Sequence, residues 1–304
     1  MNPQQTRRQF IKQSALAAGA LALASDNLLA GPATAKRTAT DLVPLGRTGL
    51  KISRLAMGTG SANGHTQTAL GREGFTKLIH YAYDHGIRAF DCAESYATYP
   101  WIAEAIKGLP RENIFIQSKM QHPPQDVLAA VDRQRKMFNT DYLDSLLVHC
   151  MIEPGWTGKW QSALDGFDQA KEKQMIRAKG VTCHSLPALR TAVESEWTEI
   201  HQVRINPQGV RMDGPEQSVW LAEDPGHAIA PVLAELKNMR AKGRGVIGMK
   251  IIGDGAFVRP EDREKSIRFA MSRPELDAIV IGFKSTAEID EAIERMNRAL
   301  AETA

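Results

Sequence analysis

Residues 145–182 read SLLVHCMIEPGWTGKWQSALDGFDQAKEKQMIRAKGVT. A short apolar run over 145–149 gives way to an amphipathic stretch over 161–174, and a second short apolar run follows over 178–182. Apolar runs of strand length separated by a helical pattern are what two parallel strands joined by a crossover helix require. The alternation repeats eight times from Arg54 onward. Strands are expected at 54–58, 89–93, 114–119, 145–149, 178–182, 200–205, 245–250 and 278–282. Helices are expected at 75–85, 101–107, 124–138, 161–174, 186–195, 228–242, 263–271 and 286–299. The last begins with a capping box, in which Ser285 caps the helix and Glu288 reaches back. Eight right-handed βα units of this size close most naturally into an α/β (β/α)8 TIM barrel, although an open doubly wound sheet shows the same alternation. Before the first unit, Leu42 to Ser53 reads as two short strands around a glycine-bounded turn, a hairpin that must cover something apolar.

The chain opens differently. Thr6-Arg7-Arg8-Gln9-Phe10-Ile11-Lys12 precedes an uncharged Ala, Leu and Gly run from Ser14 to Ser25, with small-residue exits at Ala33-Thr34-Ala35 or after Leu28-Leu29-Ala30. This has the features of a twin-arginine (Tat) export signal over 1–35, leaving 36–304 as a barrel domain that meets the Tat translocase and works in the periplasm or outside the cell. The run is too short for a membrane span. The formal charge of +3 falls further without the leader, which excludes the strongly basic footprint of a nucleic-acid binder. Cys92, Cys150 and Cys183 are too few and odd in number for a disulfide framework, and each sits at or just past an expected strand end.

In a barrel the active site is built at the carboxyl ends of the strands. Asp91, Lys119 and His149 lie at the ends of the second, third and fourth strands, with Tyr96 on the loop beyond Asp91. Burying Asp, Lys and His together is costly unless they pair, and ionisable groups that pair in a cleft are candidates for function. The set suits hydride transfer between a carbonyl and an alcohol. Tyr96 supplies the proton, Lys119 lowers its pKa, Asp91 holds Lys119, and His149 orients the substrate oxygen.

Phe90-Asp91-Cys92-Ala93-Glu94-Ser95-Tyr96, Gln117-Ser118-Lys119 and Leu143-Asp144-Ser145-Leu146-Leu147-Val148-His149 together resemble the catalytic signature of the aldo-keto reductases. Leu45-Gly46-Arg47-Thr48-Gly49-Leu50-Lys51-Ile52-Ser53 resembles that family's hairpin across the bottom of the barrel. The resemblance runs from about Asp41 to the last helix. It implies that Asp91, Tyr96, Lys119 and His149 form a catalytic tetrad and that a nicotinamide cofactor, NADP(H) or NAD(H), binds beside them. The cofactor residues it implies are Gly58, Thr59 and Asp91; Thr182, Cys183 and Gln202 at the carboxamide; Met249 and Lys250 at the nicotinamide face; and Gly282, Lys284, Ser285 and Glu288 at the adenosine phosphate. Cys183 stands where many members carry Asn, and Met249 where many carry an aromatic ring. Glu288 stands where NADPH-dependent members often place Arg or Gln; a carboxylate there repels a 2'-phosphate, whereas Lys284 attracts one, which leaves NADP(H) slightly favoured.

Two other readings compete. Asp91, His149, His184 and the cysteines could serve a metal-dependent hydrolase, but close-spaced ligand pairs are lacking, and the neighbours His149-Cys150 and Cys183-His184 are expected to face opposite sides of their strands. A cofactor-bound redox sensor or partner subunit is the other. The loop stretches Ala97 to Trp101 and Ile152 to Trp160 could present rings to a sugar or flat carbonyl compound, or could simply pack. Residues 207–224, with Arg211, Asp213 and Glu216, could cover the cofactor as a lid.

Overall fold

The structure is a computed structural model that describes residues 36–214 and 226–302. Two short antiparallel strands, β1 (Leu42–Pro44) and β2 (Lys51–Ser53), form the hairpin. Eight parallel strands follow: β3 (Leu55–Gly58), β4 (Ala89–Asp91), β5 (Phe115–Met120), β6 (Leu143–Met151), β7 (Ile176–Cys183), β8 (Ile200–Arg204), β9 (Gly245–Met249) and β10 (Ala278–Gly282). They close in sequential order, with β10 pairing to both β9 and β3. The barrel, rather than the open sheet, is the fold.

The helices are α1 (His65–Thr68), α2 (Gly71–Asp84), α3 (Tyr99–Ala105), α4 (Val127–Phe138), α5 (Trp156–Glu172), α6 (Leu186–Glu194), α7 (Ala230–Ala241), α8 (Pro260–Met271) and α9 (Thr286–Glu302). Their ends follow local chemistry. Asp126 and Ser185 cap α4 and α6 by accepting from the backbone N–H three residues on, and α4 stops at Asn139 in the left-handed conformation. Helix α5 starts five residues earlier than its polar periodicity alone indicates, because Gly155 turns the chain with a positive φ and Trp156 and Trp160 join the buried face. Ser285 caps α9 as expected, its Oγ accepting from the Glu288 N–H at 3.3 Å, but Glu288 Oε2 reaches back one residue further than a capping box requires, to the Lys284 N–H at 2.8 Å.

The strand period of two divides the core into layers. Leu55, Met57, Phe90, Ile116, Leu146, Val148, Val181, Val203, Ile279 and Ile281 face the helices. Ala56, Ala89, Phe115, Leu147, Ala178, Ile200, Ile247, Ala278 and Val280 fill the barrel together with Leu45, Leu50 and Ile52 of the hairpin region. The apolar surface that the hairpin had to cover is therefore the amino end of the barrel itself, which it plugs. Gly46 makes the fit possible: its φ is +51°, and a Cβ there would lie 2.3 Å from the Gly245 nitrogen.

Candidate active site

The parity that fills the barrel also selects what reaches its carboxyl mouth. Asp91 lies two residues past inward Ala89, Lys119 four past Phe115, His149 two past Leu147, Gln202 two past Ile200 and Met249 two past Ile247. All five therefore share the inner face of the sheet. Tyr96 joins them from the loop after β4. Gly60 makes room for its ring, since a Cβ there would sit 2.3 Å from the Tyr96 ring edge.

The four tetrad residues meet. Lys119 Nζ donates to Asp91 Oδ1 at 2.6 Å and to the Cys92 carbonyl at 2.9 Å, and the pair is almost fully buried. The ammonium lies 5.2 Å from the Tyr96 ring centroid. Tyr96 OH is 3.3 Å from His149 Nε2, with the two rings edge to face. His149 Nδ1 is buried without a hydrogen-bond partner among the described residues. Gln117, quoted with Lys119 in the signature segment but without a role of its own there, ties the group together. Its Nε2 donates to Asp91 Oδ1 at 2.7 Å and to Gln202 Oε1 at 3.1 Å, and its Oε1 accepts from Ser145 Oγ at 3.0 Å. Its inward position between Phe115 and Lys119 was the available signal.

The electrostatics differ from expectation at one point. Tyr96 is held well above the ordinary tyrosine range, first by burial and then by the Asp91 carboxylate, with smaller contributions from Cys150, Cys92 and Asp254. Lys119 was expected to pull it down. Its charge is answered by Asp91 at contact distance, and burial dominates what remains. His149 is pushed well below the ordinary histidine range by burial, then by Lys119 and Lys250, so it is a neutral imidazole at physiological pH.

A cleft of about 420 Å³ opens from Asp91 and Tyr96 and runs past Gln202, Met249 and Lys250 to the start of α9. Of the cofactor residues implied by resemblance, Gly58, Asp91, Gln202, Met249, Lys250, Gly282, Lys284 and Glu288 line it. Gly60, Ser61, Asp254 and Arg263 also line it and were not anticipated. Four expected residues do not line it. Thr59 is buried, its N–H and hydroxyl both donating to the Asp91 carbonyl at 3.0 Å. Thr182 accepts from the Cys150 N–H at 2.9 Å. Ser285 caps α9. Cys183 is one residue past inward Thr182, and period two turns it into the helix-facing layer.

The cleft suits a dinucleotide. Met249, Val280 and Ile251 give it an apolar wall for flat rings, while Lys250, Lys284 and Arg263 bring cations for phosphate. Each cation has an acidic neighbour: Asp254 at 3.0 Å, Glu288 at 4.0 Å and Glu291 at 2.8 Å, respectively. Gly282 lets the 61–67 segment cross it, since a Cβ there would fall 2.1 Å from Ser61 Oγ.

Trp156 and Trp160 belong to the helix layer, Trp156 donating to the Ala188 carbonyl, and Tyr99 is buried against Ser118 and Gln134, so none of these rings is offered to a substrate. Asp213 is buried in an ion pair with Arg204 at 2.6 Å rather than exposed on a lid, and Glu216 lies outside the described residues, as does the leader over 1–35. The pairs His149-Cys150 and Cys183-His184 do not simply alternate. Strand β6 changes register between Val148 and Met151, Cys150 takes a φ of +62°, and its thiol comes to 3.4 Å from His184 Nε2. Among the described residues no group of three metal-ligating side chains assembles. Burial pushes the Cys92 thiol up to about 12 and that of Cys150 up to about 11, so both are protonated.

The sequence model of the aldo/keto reductase family matches residues 54–302. The chain belongs to the aldo/keto reductase family. An oxidoreductase of Bacillus subtilis, YtbE, is 28% identical over 173 residues, 50% of this chain and 60% of that one. Aldo-keto reductase family 1 member A1 of Xenopus tropicalis is 35% identical over 113 residues, 34% of this chain and 32% of that one. The chain thus spans 60% and 32% of the length of these two curated relatives. Among solved structures, an aldo-keto reductase of Bacillus halodurans in its holo form superposes with a TM-score of 0.66 at 12% identity, covering 88% of this chain and 97% of that one. The Klebsiella pneumoniae aldo/keto reductase in complex with NADP and acetate superposes with a TM-score of 0.62 at 15% identity, covering 86% and 90%. At such identities the likeness speaks for the shared barrel.

Proposed function

We propose that this member of the family is an NAD(P)H-dependent oxidoreductase that interconverts a carbonyl, in an aldehyde, ketone or sugar, and an alcohol. The observation that carries the reading is the meeting of Tyr96 OH and His149 Nε2 above the buried Lys119–Asp91 pair, at the mouth of a cleft that fits a dinucleotide. A nicotinamide cofactor held in the cleft would supply the hydride for the carbonyl carbon. Tyr96, held protonated, gives its proton to the oxygen as negative charge develops there, and neutral His149 donates a hydrogen bond that orients that oxygen. Lys119, fixed by Asp91 and Gln117, places a positive charge under the tyrosine ring and favours the phenolate that remains. In the opposite direction Tyr96 takes the proton from the alcohol. Gln202 would hold the carboxamide, Met249 the face of the nicotinamide ring, and Lys284 with Lys250 the phosphates. Tyr96→Phe is the direct test. Turnover of aldehydes with NADPH should fall by about 10²- to 10⁴-fold, the usual worth of a positioned acid, while NADPH still quenches the protein fluorescence. Retention of turnover within a few-fold would remove Tyr96 as the acid, and failure to bind either NADPH or NADH would remove the cofactor assignment.

The leader supports a second element of the reading, that the protein is exported folded by the twin-arginine route and works outside the cytoplasm with cofactor already bound. Nucleotide is scarce there, so retained cofactor would have to be recycled between two substrates or serve a partner. Nucleotide released on denaturing protein purified from the periplasmic fraction is the expected result; its absence there would refute the retained-cofactor arrangement.

A further inference from the structure

The end of the barrel opposite the catalytic mouth carries a second cleft of about 510 Å³. It lies between the hairpin, the end of α7, the start of β3 and the 271–277 turn. Arg37, Arg54, Arg240 and Arg273 line it, with Asp277 as the one carboxylate among its lining residues. That carboxylate is already engaged: Asp277 accepts from Arg240 at 2.7 Å and from the N–H groups of Gly46 and Val246 at 3.0 Å. Arg54 is mostly buried, donates Nε to the Thr38 carbonyl, and reaches Asp41 only at 3.6 Å, because Thr38 holds that carboxylate from its N–H and hydroxyl. Burial and then the neighbouring Arg37 guanidinium act against the charge of Arg54. Arg273 lies over Phe269, and its Nε is buried without a partner among the described residues. Among the lining residues four guanidiniums thus stand against the single carboxylate of Asp277; beyond the lining, Asp41 lies beside Arg54, and Glu275, with a buried Oε2, belongs to the 271–277 turn. The remaining wall, Val43, Pro44, Met271 and Leu276, is apolar.

We propose that this amino-end cleft is a binding site for a phosphate monoester. The phosphate dianion matches the excess of guanidiniums over carboxylates in the lining and the planar donor forks of the arginines. The organic body of the ester lies against Val43, Met271 and Leu276. The site is separate from the dinucleotide cleft and does not depend on it.

Calorimetric titration with phenyl phosphate tests it, using the wild type, Arg273→Gln, Arg54→Gln and, as a control at the catalytic end, Lys284→Gln. Phenyl phosphate should bind the wild type more tightly than inorganic phosphate does. Arg273→Gln and Arg54→Gln should each weaken it by at least about tenfold, the effect of losing a charge-assisted hydrogen bond, and Lys284→Gln should leave it unchanged. Arg54 also supports the fold, so Arg273→Gln decides if Arg54→Gln does not fold. No binding by the wild type overturns the proposal, as does binding that survives Arg273→Gln or is lost only in Lys284→Gln. Inorganic phosphate binding as tightly as phenyl phosphate overturns the assignment to a monoester.

Discussion

At the scale of single residues, the site is built from groups whose protonation is set by burial more than by one another. The Asp91–Lys119 pair is held by Gln117 and the Cys92 carbonyl as well as by its own contact. Buried pairs survive when their remaining donors and acceptors are also satisfied. Tyr96 and His149 are pushed in opposite directions, away from the ordinary values of 10.0 and 6.5 that would otherwise bracket neutral pH. Both are therefore neutral throughout that interval. Carbonyl reduction needs protonated Tyr96 and neutral His149, so its rate should be flat from pH 6.5 to 10. Alcohol oxidation benefits from phenolate, so its rate should keep rising with pH past 10. Pre-steady-state rates in each direction across this range are the measurement. A descending limb for reduction between 6.5 and 10 would show that Tyr96 titrates there and that the Lys119 charge outweighs burial once cofactor is present.

At the scale of elements, one carboxylate serves two masters. Glu288 completes the cap of α9 through the Lys284 N–H and also lines the cofactor cleft. A neutral glutamine keeps an acceptor for the cap but removes the charge facing a 2'-phosphate. Glu288→Gln should therefore leave thermal stability nearly unchanged and raise NADPH affinity by up to about fivefold, the worth of one exposed charge interaction, with NADH affinity unchanged or lower. Parallel fluorescence titrations would show it, and an unchanged NADPH-to-NADH ratio would place Glu288 out of reach of the phosphate. The cap was legible because Ser285 and Glu288 stand three apart before an amphipathic run. Strands and tetrad were legible for a similar reason: each polar residue ends a short apolar run, and the parity of the run gives its direction. What could not be read depended on contacts distant in sequence or on broken parity. Cys183 resembles a cofactor residue in a linear match, yet sits one step off the inward register. The Cys150 thiol finds His184 because β6 bulges. Gly60 matters only because Tyr96 folds over it, and the tryptophans after β6 follow the helix face that Gly155 starts early.

At the scale of the whole molecule, the acid stability of the barrel should follow its buried histidines. His201 lies on β8, one residue out of register with the inward Ile200 and Gln202, and both of its ring nitrogens are buried without partners among the described residues. Burial, followed by the charges of Arg244 and Lys242, depresses its pKa from 6.5 to about 3. Burial depresses His149 and His184 in the same direction. A depressed histidine stays neutral in the folded chain while the unfolded chain takes up a proton below pH 6.5. The sign follows: stability is full above that pH and is lost as pH falls toward the folded value. Each such group steepens the loss by up to about 1.4 kcal/mol per pH unit. His201→Phe removes one of these protons without placing a charge in the core. In urea unfolding at a series of pH values, the variant should lose stability less steeply below pH 6.5 than the wild type, by close to one proton's worth of slope. Parallel slopes would mean that His201 reaches water or a partner before the barrel opens, and that the acid sensitivity belongs to the catalytic mouth instead.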